Sequence, residues 1–303
     1  MTLFLGSLQL GLIYGLLAIG VFIAFRILNI PDLTAEGSFT FGLAVSARLT
    51  LLGHPYLGIL AAIAAGAFAG SVTGLLQTKL FIHPVLAGIL TMSGLYSINL
   101  LIMGSSSNLS LIGGNTIFKL MTDHFVFLPK EGIKILLPLF ISIIAALLFA
   151  FFFKTRIGLC IRATGNNEDM VRASSINVDG TKIIALAASN GAIALSGALI
   201  AQYQGFADIN SGVGIIVVGL ASVIMGELVI RKESVTLGLF SAILGSVIYR
   251  FMIAIALKYS PFPAYALKLV SACIVAVALS IPAIEYHRQL QKIKKGGKNR
   301  VNH

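Results

Sequence analysis

Long apolar stretches separated by short polar connectors run through most of the sequence. A helix needs about 20 apolar residues to cross the hydrocarbon core of a bilayer. The pattern therefore predicts an all-α integral membrane protein with about nine transmembrane helices, in a range of roughly eight to ten. The predicted spans cover residues 4–25, 37–52, 57–76, 85–103, 134–153, 183–203, 213–230, 234–257 and 267–284.

The composition changes this picture only by excluding other classes of protein. Hydrophobic residues make up 57% of the chain and charged residues 11%, whereas a soluble domain carries about 25% charged residues. A single soluble core does not bury so much apolar surface. A soluble enzyme and a disordered chain are excluded. So is a nucleic-acid-binding domain, and we expect no nucleic-acid partner although the net charge is +11.

The basic residues lie mainly in connectors on one side of the predicted spans. With the C-terminal tail inside, the inner loops and the tail hold 15 of the 22 Lys and Arg residues. This distribution satisfies the positive-inside rule. We therefore predict an N-terminus outside and a C-terminus in the cytoplasm. The transmembrane domain is predicted at 1–285 and a basic cytoplasmic tail, available to anionic membrane lipid, at 286–303.

A weak internal similarity relates the two halves of the chain. The stretch that begins at Pro31 (PDLTAEGSFTFGLAVS) resembles the stretch that begins at Ala207 (ADINSGVGIIVVGLASV). A second match, in the same order, relates Leu57–Ile63 to Leu237–Ile243. The alternative is a coincidence of composition, because membrane helices rich in Leu, Ala and Gly resemble one another.

The predicted halves, 1–153 and 183–285, are joined by a cytoplasmic loop at 154–182. The topology places Asp32 inside and Asp208 outside, so the halves would have inverted topology. Inverted repeats build a translocation pathway at their interface from short or broken helices. The pattern thus predicts a transporter. The candidate pathway and gate residues are Asn29, Asp32, Glu36, Gly37, Asp208, Asn210, Gly212 and Arg250.

The charged candidates also have simpler explanations, which stay open at this point. Asp32 and Glu36 can cap the second span, and Asp208 with Asn210 can cap the seventh. Arg250 lies within a span, where a charge costs about 2.5–3.5 kcal/mol on insertion scales. It either reaches the outer interface with its long side chain or meets an acidic group of a solute or partner.

The connector at 154–182 is long and polar. Asn166 and Asn167 are good helix N-caps, and the two acids that follow them suit the first turn of a helix. Arg172 follows Glu168 at i+4, a favourable order for an ion pair. We predict a short amphipathic helix that fits a groove on a cytoplasmic partner. A solvated connector is the alternative.

The same connector resembles that of permease subunits of bacterial ABC importers for branched-chain amino acids and ribose. Ser175 departs from the family, which often has Gly there. The sequences GLIYGLLA from Gly11 and RILNIPDLT from Arg26 are also similar to that family, and the second resembles a subgroup assigned to tryptophan/tyrosine-type import. The similarity covers most of residues 8–284. Its matching connector residues are Thr155, Arg156, Gly158, Arg162, Ala163, Gly165, Asn167, Ala173, Ile176 and Val178.

The resemblance implies a multi-pass permease subunit in a bacterial inner membrane, forming a homodimer or pseudo-dimer. It would pair with cytoplasmic ABC ATPase subunits and with an extracellular or lipid-anchored substrate-binding protein. ATP and Mg would be held by the ATPase, since this sequence has no GxxxxGK[ST] loop. We expect no catalytic residue, metal or cofactor in this chain. The implied ATPase-coupling helix comprises Gly165, Asn166, Asn167, Glu168, Asp169, Met170, Val171, Arg172 and Ala173.

Three function classes compete at this stage. The leading one is the permease of an ATP-driven importer for a small organic solute. A tryptophan- or tyrosine-like amino acid is the first choice of solute, with a nucleoside, sugar or vitamin precursor as alternatives. An ion-coupled secondary transporter would usually need acidic residues deep within its spans, and these are scarce here. A membrane-embedded enzyme would need a cluster of catalytic residues, which the sequence does not suggest.

Overall fold

The computed structural model describes residues 2–124, 129–230 and 234–259, with four further positions between 272 and 280. Within these residues the chain forms eleven α-helices, a short antiparallel ribbon, a π-helical turn (Ile23–Ile27) after the first helix and a 3-10 turn (Ile209–Gly212) before the tenth. The helices are α1 (Thr2–Phe22), α2 (Thr34–Leu51), α3 (Pro55–Thr78), α4 (Pro84–Ile102), α5 (Ile117–His124), α6 (Lys130–Phe152), α7 (Arg156–Asn166), α8 (Glu168–Ala173), α9 (Val178–Gln204), α10 (Ile215–Val229) and α11 (Val235–Tyr259), and the strands are β1 (Asn108–Ser110) and β2 (Phe206–Asp208).

Seven helical segments of the described chain are long and apolar enough to cross a membrane. The helical membrane fold predicted from the sequence is therefore present, with the small ribbon as an addition. The segments are Phe4–Ile27, Pro55–Thr78, Pro84–Ile102, Lys130–Phe152, Val178–Gln204, Ile209–Val229 and Val235–Ala256.

Two predicted spans are missing from that set for different reasons. The span at 37–52 is present as α2, but α2 is almost wholly buried and carries Thr, Ser and Gly at many positions where a lipid-facing helix has apolar side chains. The span at 267–284 lies outside the described residues apart from four positions. The total of nine spans, the orientation of the termini and the basic tail at 286–303 stay predictions.

The long helix α9 connects two ends of the bundle. It begins beside α7 and α8, which we call the connector end, and it ends at β2, which pairs with β1 and defines the ribbon end. The ribbon is antiparallel, with Asn108 opposite Asp208. Because β1 follows α4 and β2 follows α9, the ribbon ties together two helices that are distant in sequence.

Small residues let other helices approach the central helix α9 closely. α9 is buried along most of its length and packs against α1, α2 and α3. A methyl group added at Gly42 would overlap the backbone of Ala194, and one added at Gly70 would overlap that of Leu186. Small residues of this kind drive helix association in membranes, because close backbone approach gains dispersion energy that lipid does not provide.

Helix α2 begins inside the bundle, near the midpoint of α9. The chain leaves α1 through its π-helical turn, and Asn29 then adopts the left-handed conformation with φ 57°. The connector re-enters the protein, so that Asp32 contacts Asn190 of α9. The predicted topology placed Asp32 at the inner membrane surface. That placement is wrong, because a connector with buried polar partners can fold back to membrane depth.

Helix α10 begins next to the first turn of α2. The backbone N–H of Gly214, just before α10, donates to Glu36 Oε1 at 2.9 Å, and Glu36 lies in the first turn of α2. From this shared depth α2 runs toward the ribbon end. α10 runs toward the connector end, where Glu227 binds Arg26. α2 and α10 thus diverge from adjacent N-termini, and we call them half-helices for that reason alone, while the broken pathway helices and the inverted repeat stay predictions.

The packing of α2 on α9 gives a first testable expectation. Gly42→Ala should lower the stability of the protein by about 1–3 kcal/mol, the usual range for overpacking, because the new methyl group would overlap Ala194. Thermal unfolding in detergent, followed with a thiol-reactive dye, measures the change in Tm. The matched control is Gly94→Ala in α4, where an added methyl group meets nothing within 4 Å. Equal shifts in the two variants would contradict this packing.

Candidate functional site

Asp32 is a buried carboxylate at the start of α2, with 1% of its surface exposed. Its Oδ1 accepts a hydrogen bond from the backbone N–H of Thr34 at 2.9 Å, and its Oδ2 accepts one from Asn190 Nδ2 at 2.6 Å. The first bond caps α2 and the second fixes α2 on α9. A buried charge is costly unless it is hydrogen-bonded. These contacts agree with the capping explanation offered by the sequence.

Glu36 brings together the two predicted pathway segments. Its carboxylate accepts the Gly214 N–H, and a methyl group added at Gly212 would overlap its backbone carbonyl and the Thr40 hydroxyl. Glycine is therefore required at 212 for the close approach of the turn to α2. The sequence placed these segments in one pathway without indicating that they touch.

A cavity of about 440 Å³ lies beside this contact, between α2, α4 and the 3-10 turn before α10. Three of the predicted pathway residues line it, namely Glu36, Gly37 and Gly212. Sequence reasoning missed the contribution of α4. The main polar residues that α4 contributes to the cavity are Ser93, Tyr96 and Asn99.

The amide of Asn99 is the α4 group that the sequence could have indicated. It is 1% exposed, and its Nδ2 donates to the carbonyl of Gly37 at 3.4 Å. An asparagine within an otherwise apolar span is costly to insert and tends to be functional or to bond a neighbouring helix. Asn99 was not among the pathway residues predicted from the sequence.

The remaining predicted pathway residues lie elsewhere. Asp208 is in the ribbon, where its Oδ1 accepts the N–H of Asn210 at 2.7 Å, the geometry of a local cap. Asn29 lines a second cavity, of about 440 Å³, at the connector end. Arg250 lies over the ring of Tyr14 with 4.0 Å between its Cζ and the ring centroid. These residues therefore do not form one site with Glu36.

Arg250 has a partner that neither sequence explanation anticipated. Its guanidinium faces Tyr14 of α1, and the Tyr14 ring is stacked on Phe39 of α2 with 6.1 Å between ring centroids. A cation over an aromatic face is stabilised by the ring quadrupole, more strongly when water is excluded. The arginine thus contributes to the packing of α11 against α1.

The polar connector contains two helices where the sequence predicted one. Gly165 and Asn166 belong to the end of α7, and only Asn167 serves as an N-cap, accepting the Met170 N–H at 3.0 Å. The predicted cap at Asn166 is wrong. The reason is tertiary: α7 extends to Asn166 because Gly165 packs directly on the backbone of Ile27 in the π-helical turn.

Helix α8 is fixed to α9 by ion pairs. Glu168 contacts Arg172 at 2.9 Å, as the i+4 spacing predicted, and Lys182 of α9 at 2.6 Å. The hydrogen bond from Lys182, with help from Arg172, lowers the pKa of the Glu168 carboxyl below its ordinary value. The side chains of Asp169 and Met170 are exposed on the other side of this short helix.

The chain also matches a known protein family. Residues 3–279 match the family described as "Branched-chain amino acid transport system / permease component". The chain belongs to this family of ABC-type permeases. It is a multi-pass protein of the inner membrane, and membership of a permease family indicates a transport subunit rather than an enzyme.

Individual relatives cover most of the chain. It is 38% identical over 270 residues to a "Tyrosine transport system permease protein" of Clostridioides difficile, which covers 89% of this chain and 88% of that protein. It is 33% identical over 284 residues to an uncharacterised protein of Rickettsia prowazekii, covering 92% and 98% of the two chains. A "Probable branched-chain amino acid transport permease protein LivH" of Methanocaldococcus jannaschii is 26% identical over 221 residues, or 70% and 69% of the two chains. No solved structure matches.

The ion pairs of α8 lead to a pH-dependent expectation. Because the folded protein lowers the pKa of Glu168, the pairs persist at neutral pH and are lost as the pH falls through and below the ordinary carboxyl pKa of about 4.3. We expect hydrogen-exchange protection of α8 to fall over the same pH range. Glu168→Gln should show low protection already at neutral pH.

Asp169→Asn is the matched control for this experiment, because Asp169 is an exposed acid of the same short helix. It should leave the protection of α8 at neutral pH near that of the unaltered protein. If Asp169→Asn and Glu168→Gln lowered protection equally, a general charge effect would account for the change and the specific pairing would be refuted.

Proposed function

We propose that this protein is the membrane-spanning permease subunit of an ATP-driven importer for a small organic solute, with an aromatic amino acid such as tyrosine or tryptophan as the transported compound. The relative named as a tyrosine transport permease supports this solute class. The family supports a role beside a separate ATPase. ATP and Mg would be bound by that subunit, and this chain would supply the pathway.

The observation that carries the proposal is the continuous link through α9. One end of α9 holds α8 through Lys182 and Glu168, and its middle holds the start of α2 through Asn190 and Asp32. A helix transmits displacement because it is rigid along its axis. An ATPase that engages α8 would therefore move α9 and, with it, the half-helix α2 that lines the cavity.

The connection from α7 to the other half-helix supports the same mechanism. Gly165 of α7 packs on Ile27, and the neighbouring Arg26 binds Glu227 near the end of α10. Movement of α7 and α8 would reach both half-helices by separate contacts. In this mechanism the connector end is cytoplasmic, a second copy completes the pathway, and an extracellular or lipid-anchored binding protein delivers solute at the ribbon end.

One observation favours a second candidate, an ion-coupled secondary transporter. Asp32 is a fully buried acid near the midpoint of α9, and such acids carry protons or sodium in that class. The two candidates differ in their energy source. Uptake by the importer requires ATP hydrolysis and continues when ionophores dissipate proton and sodium gradients, whereas uptake by a secondary transporter stops.

The test of the proposal is purification of the chain with its ATPase and binding protein, followed by reconstitution in liposomes. We expect ATP-dependent accumulation of labelled tyrosine that ionophores do not abolish. Asp32→Asn should retain this dependence on ATP, since the amide oxygen can still accept the Thr34 N–H at the start of α2 although the bond from Asn190 is lost. Accumulation driven by an ion gradient without the ATPase would overturn the proposal.

A further expectation concerns docking on α8. Met170 is 53% exposed, and a charge placed there would be buried by an ATPase groove. Met170→Glu should lower the stimulation of ATP hydrolysis by the permease by about tenfold, as expected for loss of an interface anchor worth about 1.4 kcal/mol. The rate of ATP hydrolysis in the reconstituted complex measures this.

Ile112→Glu is the matched control for Met170→Glu. Ile112 is 91% exposed, and it lies next to the ribbon at the opposite end of the bundle. In complexes of permease and ATPase prepared without the binding protein, which is proposed to dock at the ribbon end, it receives the same charge but should leave ATP hydrolysis unchanged. A comparable loss in both variants would show that added charge disturbs insertion or folding, and docking at α8 would not be supported.

A further inference from the structure

The cavity between α2, α4 and the turn before α10 contains one acidic side chain among neutral polar and apolar ones. Glu36 contributes a carboxylate, and Asn99 contributes an amide oxygen. None of the described residues that line this cavity is basic. The site is therefore suited to an occupant that donates hydrogen bonds and carries positive charge.

The amide of Asn99 is the most direct indication that a hydrogen-bond donor binds in the cavity. Its Nδ2 must face the carbonyl of Gly37, which is an acceptor, so the orientation of the amide is fixed. Its Oδ1 is buried and has no hydrogen-bond partner among the described residues. Buried polar atoms are nearly always satisfied, and exceptions call for a ligand, water or ion. A donor in the cavity would satisfy this oxygen.

When it is ionised, the Glu36 carboxylate is negatively charged. It therefore binds a positively charged ammonium group in preference to a neutral hydrogen-bond donor. Its Oε1 accepts the Gly214 N–H at 2.9 Å. A carboxylate has about four acceptor positions on its two oxygens, so it can accept an ammonium donor in addition to its partners within the protein. A primary ammonium carries three donors and one positive charge. It can therefore bond the Asn99 amide oxygen and the Glu36 carboxylate together.

The size and the rim of the cavity restrict the rest of the occupant. Its volume of about 440 Å³ lies within the range of small-molecule sites. Tyr96 lines the cavity and is 52% exposed, so its ring is available for offset stacking with another aromatic ring. The occupant is thus a small molecule with a primary ammonium and an apolar or aromatic body.

We propose that this cavity is a solute site of the permease, in which Asn99 Oδ1 and the Glu36 carboxylate bind the α-ammonium group of the transported amino acid while Tyr96 contacts its side chain. This inference rests on the proposed function, which it extends from a solute class to a recognised chemical group. A lipid with an ethanolamine headgroup carries the same ammonium, so the experiment includes both sources.

The test uses cysteine accessibility in liposomes free of phosphatidylethanolamine. Ser93→Cys places a thiol in the cavity and leaves Asn99 and Glu36 intact. Cys160 and Cys273, the free cysteines of the chain, are first replaced by Ser. The full-length protein is treated with a cationic aminoethyl or an anionic sulfonatoethyl methanethiosulfonate, and mass spectrometry gives the two reaction rates.

The matched control is Ser97→Cys, an exposed position one helical turn further along α4. We expect the ratio of cationic to anionic rates to be about tenfold higher at position 93 than at 97, the effect of a charged hydrogen bond worth about one decade in affinity. Glu36→Gln and Asn99→Leu should each lower that ratio toward the control. Glu36→Gln retains an acceptor for the Gly214 N–H. It therefore still tests the inference if Asn99→Leu does not fold.

Protection by soluble compounds identifies the group that is recognised. Tyrosine and tyramine should slow the reaction at position 93, whereas 3-(4-hydroxyphenyl)propionate, which lacks the ammonium, should not. Equal protection by all three compounds, protection by none, or equal rate ratios at positions 93 and 97 would overturn the inference. Slowing by phosphatidylethanolamine without slowing by tyramine would assign the site to lipid and also overturn it.

The uptake assay and the cysteine-accessibility assay together distinguish a failure of the ammonium site from a failure of the proposed importer function. If the reconstituted complex accumulates tyrosine at the expense of ATP but position 93 shows no preference, the solute site is wrong and the importer stands. If position 93 shows the preference but uptake needs no ATPase, the importer is wrong and the ammonium site stands.

Discussion

A bilayer offers no water to the backbone, so a helix that begins at membrane depth must find its hydrogen-bond partners within the protein. In this protein the buried contact between Asp32 and Asn190 meets that requirement for α2. Asp32 also caps the helix through Thr34. The position of α2, the cavity beside it and the link to α9 all depend on this small set of polar contacts.

The same constraint explains why α10 begins next to α2. Its entry carries an N–H, at Gly214, that donates to Glu36 in the first turn of α2. Gly212 permits the close approach that brings the two together. α2 and α10 therefore begin at adjacent N-termini, with the Gly214 N–H bonded to Glu36 and with Glu36 and Gly212 lining the cavity.

The helix α9 joins this polar centre to the connector end. Glycines of α2 and α3, among them Gly42 and Gly70, let these two helices approach the backbone of α9 closely, which fixes their relative positions. Its first turns hold α8 through Lys182. A rigid helix in contact with both regions provides a direct physical route for movement. α9 contacts several elements because it is buried; a helix exposed to lipid on most sides would contact fewer partners.

The sequence by itself determined the helical membrane class, most of the spans and the family, because apolar length and local motifs are properties of contiguous residues. It also determined the pairing of Glu168 with Arg172, which needs only helical spacing. Only the tertiary structure decided that Asp32 lies at membrane depth, that α7 continues to Asn166, that Arg250 packs on Tyr14, and that Asn99 joins Glu36 in one cavity. Each of these depends on contacts between residues far apart in the chain, and no local pattern of polarity specifies which distant helix will supply the partner.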